Sequence, residues 1–204
     1  MDDQTVHIFW DHSNLFHSAQ DACDDCGGGG LEPGHRTDVR LDFQKLYDFA
    51  AAGRHVERAV AVGSVPPGLR ELWTRLRKAG VDIDLQERGA DSGKEQAVDQ
   101  VLQLEMLRSL ADRADRPAVA VLLTGDADFR ADAQRMLDKG WGLEVLAFGG
   151  SFSNKLKALA NCSHGRAKYI ELDRWYTQLV YLQGVGRAIG RPSHALDLTG
   201  RLRV

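Results

Sequence analysis

Four aspartates stand where the chain could gather them: Asp11 in WDHSN, Asp99 in KEQAVDQ, and Asp126 and Asp128 in TGDADF. Converging carboxylates repel one another, so such a cluster raises its pKa values or recruits a cation. Hard oxygen donors suit Mg2+ or Mn2+, and these ions activate water and stabilise charge developing at phosphorus. Metal-assisted hydrolysis of a phosphodiester is therefore the chemistry these residues favour. Singly they say less, because Asp11, Asp126 and Asp128 each stand where an aspartate caps a helix.

The elements that must position these acids show as apolar runs and helical spacing. Val6 to Trp10, Val56 to Val62, Val81 to Leu85, Ala118 to Leu123, Leu143 to Phe148 and Ala167 to Leu172 predict strands. Helices are predicted near Ser13 to Gln20 and over Leu41 to Ala51, Leu69 to Lys78, Lys94 to Ala111, Ala127 to Asp138 and Arg174 to Leu182. Gly53, Gly80 and Gly140 follow three of them, as C-cap glycines do. Such alternation predicts an α/β fold with a mainly parallel central sheet and helices on both faces, a three-layer sandwich.

Ligands of open parallel sheets sit beyond the carboxyl ends of the strands. Asp11 follows the first strand and Asp126 and Asp128 follow the strand ending at Leu123, with Gly125 predicted to let the chain turn sharply between them. Asp99 lies in the first turns of the long helix, whose stripe Val98, Val101, Leu102, Leu104, Leu107 and Leu110 is predicted to be buried. Glu95 shares the side of Asp99, whereas Glu105 is rotated far round the helix and either lines another face or makes a salt bridge.

At 204 residues the chain fits one domain, assigned to 1–183, with 184–204 read as a mobile basic tail carrying Arg187, Arg191, Arg201 and Arg203. A formal net charge of −3 excludes a binder that works by phosphate neutralisation alone, but not a metal-dependent nuclease. No apolar run approaches the roughly 18 residues of a membrane span, and Met1 to Thr5 lack a basic leader. A cytoplasmic, membrane-free location is expected, and a homo-oligomer is compatible with the sequence. Residues 21–36, DACDDCGGGGLEPGHR, read as a flexible insertion, either a passive loop or a flap beside Asp11. Cys23 and Cys26 have zinc-ligand spacing, but a structural site needs four ligands and only His17, His35 or the distant Cys162 could complete it, so incidental, reduced cysteines are the alternative.

Other polar residues each carry two readings. His12 is a general base or phosphate contact, or a side chain that points away from the edge. Lys94 and Arg130, and Ser151, Asn154 and Lys155 in the turn SFSNKLK, are candidate contacts for substrate phosphate, or ordinary surface groups.

WDHSN, KEQAVDQVLQLEML and TGDADF, in this order from Asp11 to Phe129, together resemble the NYN branch of the PIN-like nuclease superfamily. The resemblance implies a PIN-like fold, an RNA substrate and a Mg2+- or Mn2+-dependent ribonuclease. It maps Asp11, Asp99, Asp126 and Asp128 to the acidic metal centre and Asn14 to the polar catalytic position beside it. Two departures from the family pattern are Ala97 in place of a glycine and the length of the insertion at 21–36. Two other functions compete. A non-cleaving NYN-type RNA- or protein-binding module has no need of a repulsive acidic cluster. An aspartyl-phosphate phosphohydrolase wants a second acid where Ser13 stands.

Overall fold

The computed structural model describes residues 5–25, 38–65, 74, 77–78, 80–87 and 94–182, with backbone alone at 23–25, 64–65, 83–87 and 94–98. Its strands are β1 (Thr5–Asp11), β2 (Val39–Leu41), β3 (His55–Val65), β4 (Asp82–Glu87), β5 (Val119–Leu123), β6 (Gly142–Ala147), β7 (Ala167–Glu171) and β8 (Val180–Leu182). The helices are α1 (His12–Asp25), α2 (Phe43–Ala51), α3 (Lys94–Asp112), α4 (Arg130–Asp138), α5 (Asn154–Cys162) and the single turn α6 (Tyr176–Leu179). Among the described residues no helix is long and apolar enough to cross a membrane.

Among the described residues, six strands form one parallel sheet in the order β4-β3-β1-β5-β6-β7, and β2 pairs antiparallel with β8. From β1 the chain builds outward through β3 to β4, then returns to the other side of β1 to lay down β5, β6 and β7. Strand order thus reverses between β1 and β5, the place where such sheets leave a crevice at their carboxyl ends.

Alternation along the central strands divides the core. Val6, Ile8 and Trp10 of β1 with Val119, Val121 and Leu123 of β5 face a cluster built from α1, α2 and α6. Phe9, Ala120 and Leu122 face the opposite cluster, built from α3, α4 and α5. This is the predicted three-layer sandwich. Gly53, Gly80 and Gly140 all take positive φ. After α4, Gly140 N–H donates to Leu137 O and Trp141 N–H to Met136 O, both at 3.0 Å, closing a Schellman cap.

Four expectations need correction. The helix α1 continues to Asp25, so the supposed insertion begins as helix and Cys23 lies in it, while Cys26 and residues 26–36 lie outside the described residues. The helix expected from Leu41 starts at Phe43, capped by Asp42, because Val39 to Leu41 pair with β8. The helix expected over Arg174 to Leu182 is a 3-10 turn, one turn of α6 and a strand. On α3 the buried face is Leu102, Met106 and Ser109, whereas Leu104 and Leu107 are 46% and 40% exposed. Glu105 is buried with them and pairs with Arg58 and Arg108, the salt-bridge role expected of it. Of the helix expected at 69–78 only Thr74, Arg77 and Lys78 are described, and the tail 184–204 lies outside the described residues.

Candidate functional site

Asp11 ends β1 and caps α1. Its Oδ1 accepts the Asn14 backbone N–H at 3.0 Å, and its Oδ2 accepts the hydroxyl of Thr124 at 3.2 Å. Thr124 follows β5 directly, and its Oγ1 also accepts the Asp126 N–H at 3.2 Å. Asp126 then caps the 3-10 turn over Ala127–Phe129 by accepting the Asp128 N–H at 2.9 Å. One buried hydroxyl therefore joins the two strand ends that flank the reversal of strand order.

Asn14 crosses the same gap one turn along α1, where its Oδ1 accepts the Gly125 N–H at 3.0 Å. Gly125 is buried without positive φ, so the expected sharp turn is not what requires glycine here. The requirement is close approach: a Cβ at this position would lie 2.3 Å from the Ser151 carbonyl oxygen. Ser153 N–H donates to Gly125 O at 2.9 Å, and the Ser153 side chain caps α5 by accepting the Lys155 N–H at 3.2 Å. Ser151, Asn154 and Lys155 are thus brought beside the loop that carries Asp126, with Asn154 and Lys155 exposed on the first turn of α5.

Asp99 lies half-buried on α3, three residues before Leu102 and seven before Met106, so it shares the face that packs on the sheet. Its charge reaches Asp11. Burial pushes the Asp11 carboxyl up to about 6, and the negative charges of Asp99 and Asp126 push the same way against the Asn14 N–H and the Thr124 hydroxyl. Asp11, Asp99 and Asp126 therefore share one electrostatic neighbourhood. Asp128 is exposed and joins the group through its backbone N–H. Arg130 is exposed two residues further on, as the first residue of α4. Lys94 opens α3, five residues before Asp99, and its side chain lies outside the described ones. Among the described residues no three acidic, histidine or cysteine side chains are drawn together as a finished metal cage.

His12 turns away from this edge. It is buried, with its ring 5.0 Å from Phe43 and 5.7 Å from Phe16, and burial holds its pKa down to about 3. His7, on the same strand as Asp11, is likewise buried and held near 4, with Nδ1 3.0 Å from the Ser109 hydroxyl. Both rings are neutral when folded, while in the unfolded chain they take up a proton below about pH 6.5. The unfolded state then binds more protons, so stability falls on acidification, by about 3 kcal/mol for each ring by pH 4.5. The Asp11 carboxyl, raised to about 6, acts in the opposite direction over the same range, so the rings are tested in Asp11→Asn. In that background urea midpoints should drop steeply between pH 6.5 and 4.5, and His12→Phe should remove about half of the drop; a flat profile there would contradict the burial of these rings.

Two residues of the site carry no acidic signature in the sequence: Thr124, whose hydroxyl stands directly before Gly125-Asp126 in TGDADF, and Ser153, which stands directly before the helix it caps.

The pattern of the NYN domain matches residues 5–165. No curated protein matches this chain. A crystal structure of a protein of unknown function from Vibrio parahaemolyticus is similar, with a TM-score of 0.59 and 18% identity over 85% of this chain and 97% of that one. At this identity the likeness concerns the fold alone.

Proposed function

The chain belongs to the NYN domain family, and from that premise we propose that it is a metal-dependent ribonuclease acting at the crevice where the charges of Asp99 and Asp126 bear on Asp11. A nuclease-like, RNA-related function goes with the family. The observation that carries the finer reading is Asp11, a buried carboxylate raised to about 6 with two further acids acting on it. Such a group is costly to ionise at neutral pH unless a cation faces it.

The donor set fits Mg2+ or Mn2+. Mg2+ is ordinarily held by one or two carboxylates together with waters and substrate phosphates rather than by a closed protein cage, so an unfinished protein shell suits it. Asp11, Asp99 and Asp126 would hold the ion, with Asp128 at the exposed lip. An ion bound there supplies an activated water and charge stabilisation at phosphorus. Thr124 keeps the Asp11 and Asp126 strand ends at fixed separation, and Asn14 pins the Gly125 loop to α1. In this reading Lys94, Arg130, Ser151, Asn154 and Lys155 would hold RNA phosphates around the acids.

Asp128→Asn keeps the shape of the side chain, and an exposed change of this kind should leave metal-free stability within about 0.5 kcal/mol. Cleavage should fall tenfold or more, about 1.4 kcal/mol, if the lost charge served the ion or the attacking water. Wild-type cleavage together with a wild-type rise in Tm on adding Mn2+ would remove Asp128 from the site. The activity itself is tested by incubating single-stranded RNA, structured RNA and DNA with Mg2+, with Mn2+ and with chelator. Cleavage of RNA that chelator abolishes is expected. Tight RNA binding without cleavage under any metal would favour a non-cleaving module instead.

A further inference from the structure

We infer that Tyr169, braced by Phe152 and Lys157, is a stacking platform for an unpaired base, so that the substrate taken by this edge is single-stranded RNA. The inference rests on the ribonuclease reading above and adds to it a specificity-determining residue. Tyr169 lies on β7, the outermost strand on its side of the sheet among the described residues, and is 41% exposed. Its ring is nevertheless held in place. Phe152 meets it edge-to-face at 5.5 Å between centroids, and Lys157 Nζ stands 5.7 Å from the Tyr169 centroid and 5.2 Å from that of Phe152. Lys157 is anchored in turn by Glu171 at 2.7 Å.

An aromatic side chain fixed in orientation yet open to solvent is what base stacking requires. Glu171 offsets the Lys157 charge, so the platform favours the flat face of a base over a phosphate. Groups suited to phosphate lie immediately beside it. Phe152 stands between Ser151, which backs onto Gly125, and Ser153, whose N–H bonds the Gly125 carbonyl. Asn154 and Lys155 are exposed on the next turn. Two strand spacings, about 10 Å, separate β5 from β7, and Tyr169 lies level with Leu122, four residues before Asp126, which adds roughly another 10 Å along the strand direction. A strand of RNA with one phosphate at the Asp126 loop can therefore pass the start of α5 and lay a nearby base on Tyr169. Paired bases in a duplex offer no free face there.

The test has two arms, run on wild type, Tyr169→Phe, Tyr169→Leu and Tyr169→Ala. One is binding of a labelled single-stranded RNA in chelator, and the other is cleavage kinetics on that RNA carrying one abasic site at successive positions. Tyr169→Phe should bind as wild type. Tyr169→Leu, which keeps an apolar contact with Phe152 but has no π-face, and Tyr169→Ala should bind roughly tenfold more weakly. KM should rise with kcat little changed, and one abasic position should reproduce the loss in wild type while adding nothing to Tyr169→Leu. Equal affinity of wild type and Tyr169→Leu overturns the platform. A shift from dimer to monomer in Tyr169→Leu with RNA affinity intact also overturns it, and makes Tyr169 a contact with a second copy. Should wild type bind RNA but cleave none, the ribonuclease reading fails while the binding arm still decides the platform.

Discussion

Asp11→Asn is expected to lower metal-dependent RNA cleavage about a thousandfold or more, roughly 4 kcal/mol of transition-state stabilisation. The same change should make the metal-free protein more stable at pH 7. In the folded protein the Asp11 carboxyl is raised to about 6 from an ordinary 3.8. Between these values the native state holds a proton that the unfolded chain has lost, so stability is gained on acidification through about pH 6 and is lost as pH rises past it. At pH 7 the ionised group therefore costs the metal-free fold about 3 kcal/mol. Asparagine removes that cost, and its Oδ1 still accepts the Asn14 N–H that caps α1. A net gain of about 1–3 kcal/mol is expected in urea unfolding at pH 7 with chelator present, shrinking toward zero near pH 4. In the wild type, stabilisation by Mn2+ should fade below about pH 6, because the ion then competes with the Asp11 proton. A metal-free Asp11→Asn protein less stable than wild type at pH 7 would mean that the carboxylate is well satisfied without a cation.

Gly125→Ala should damage both fold and activity. The new methyl would meet the backbone oxygen of Ser151 at 2.3 Å and its carbonyl carbon at 2.8 Å, and backbone cannot step aside as a long side chain does. Relief requires the Asp126 loop and the Phe148–Ser153 segment to move apart, breaking the Ser153 N–H to Gly125 bond or the Asn14 bond to Gly125. Overpacking of this kind costs about 1–3 kcal/mol of stability. Displacing Asp126 by about 1 Å can cost about a hundredfold in rate. Unfolding free energy and single-turnover cleavage, measured side by side, check both losses. Wild-type values for the two would show that the loops are not in contact.

The central strands were legible because β1, β5 and β6 are buried on both faces and so read as unbroken apolar runs. Their order was not written in any local pattern, but alternation with helices was enough to predict a parallel sheet whose strand ends gather Asp11 and Asp126. Helix faces were less legible. On α3 the leucines at 104 and 107 look like core, yet the inward face carries Ser109 and Glu105 beside Leu102 and Met106. These polar groups are admitted because His7 and Arg58 wait for them on β1 and β3, 102 and 47 residues away along the chain. The C-terminal elements misled for a similar reason: residues 180–182 form a strand because β2 offers them an edge, a tertiary partner that helical spacing cannot reveal. Within the site, residue types pointed to the acids, but not to the Thr124 hydroxyl shared between Asp11 and Asp126 or to the packing of Ser151 on Gly125. Those are contacts between segments 113 and 26 residues apart.

The central claim is that the acids at the crevice between β1 and β5 cut RNA with the help of a divalent cation. It is tested most directly by single-turnover cleavage of one labelled RNA by wild type and Asp11→Asn, purified identically, across a Mn2+ titration ending in excess chelator. The expected result is cleavage by wild type that rises with Mn2+, stops with chelator and is about a thousandfold slower in Asp11→Asn. Equal cleavage by the two proteins, or cleavage by wild type that survives chelator, would contradict the account.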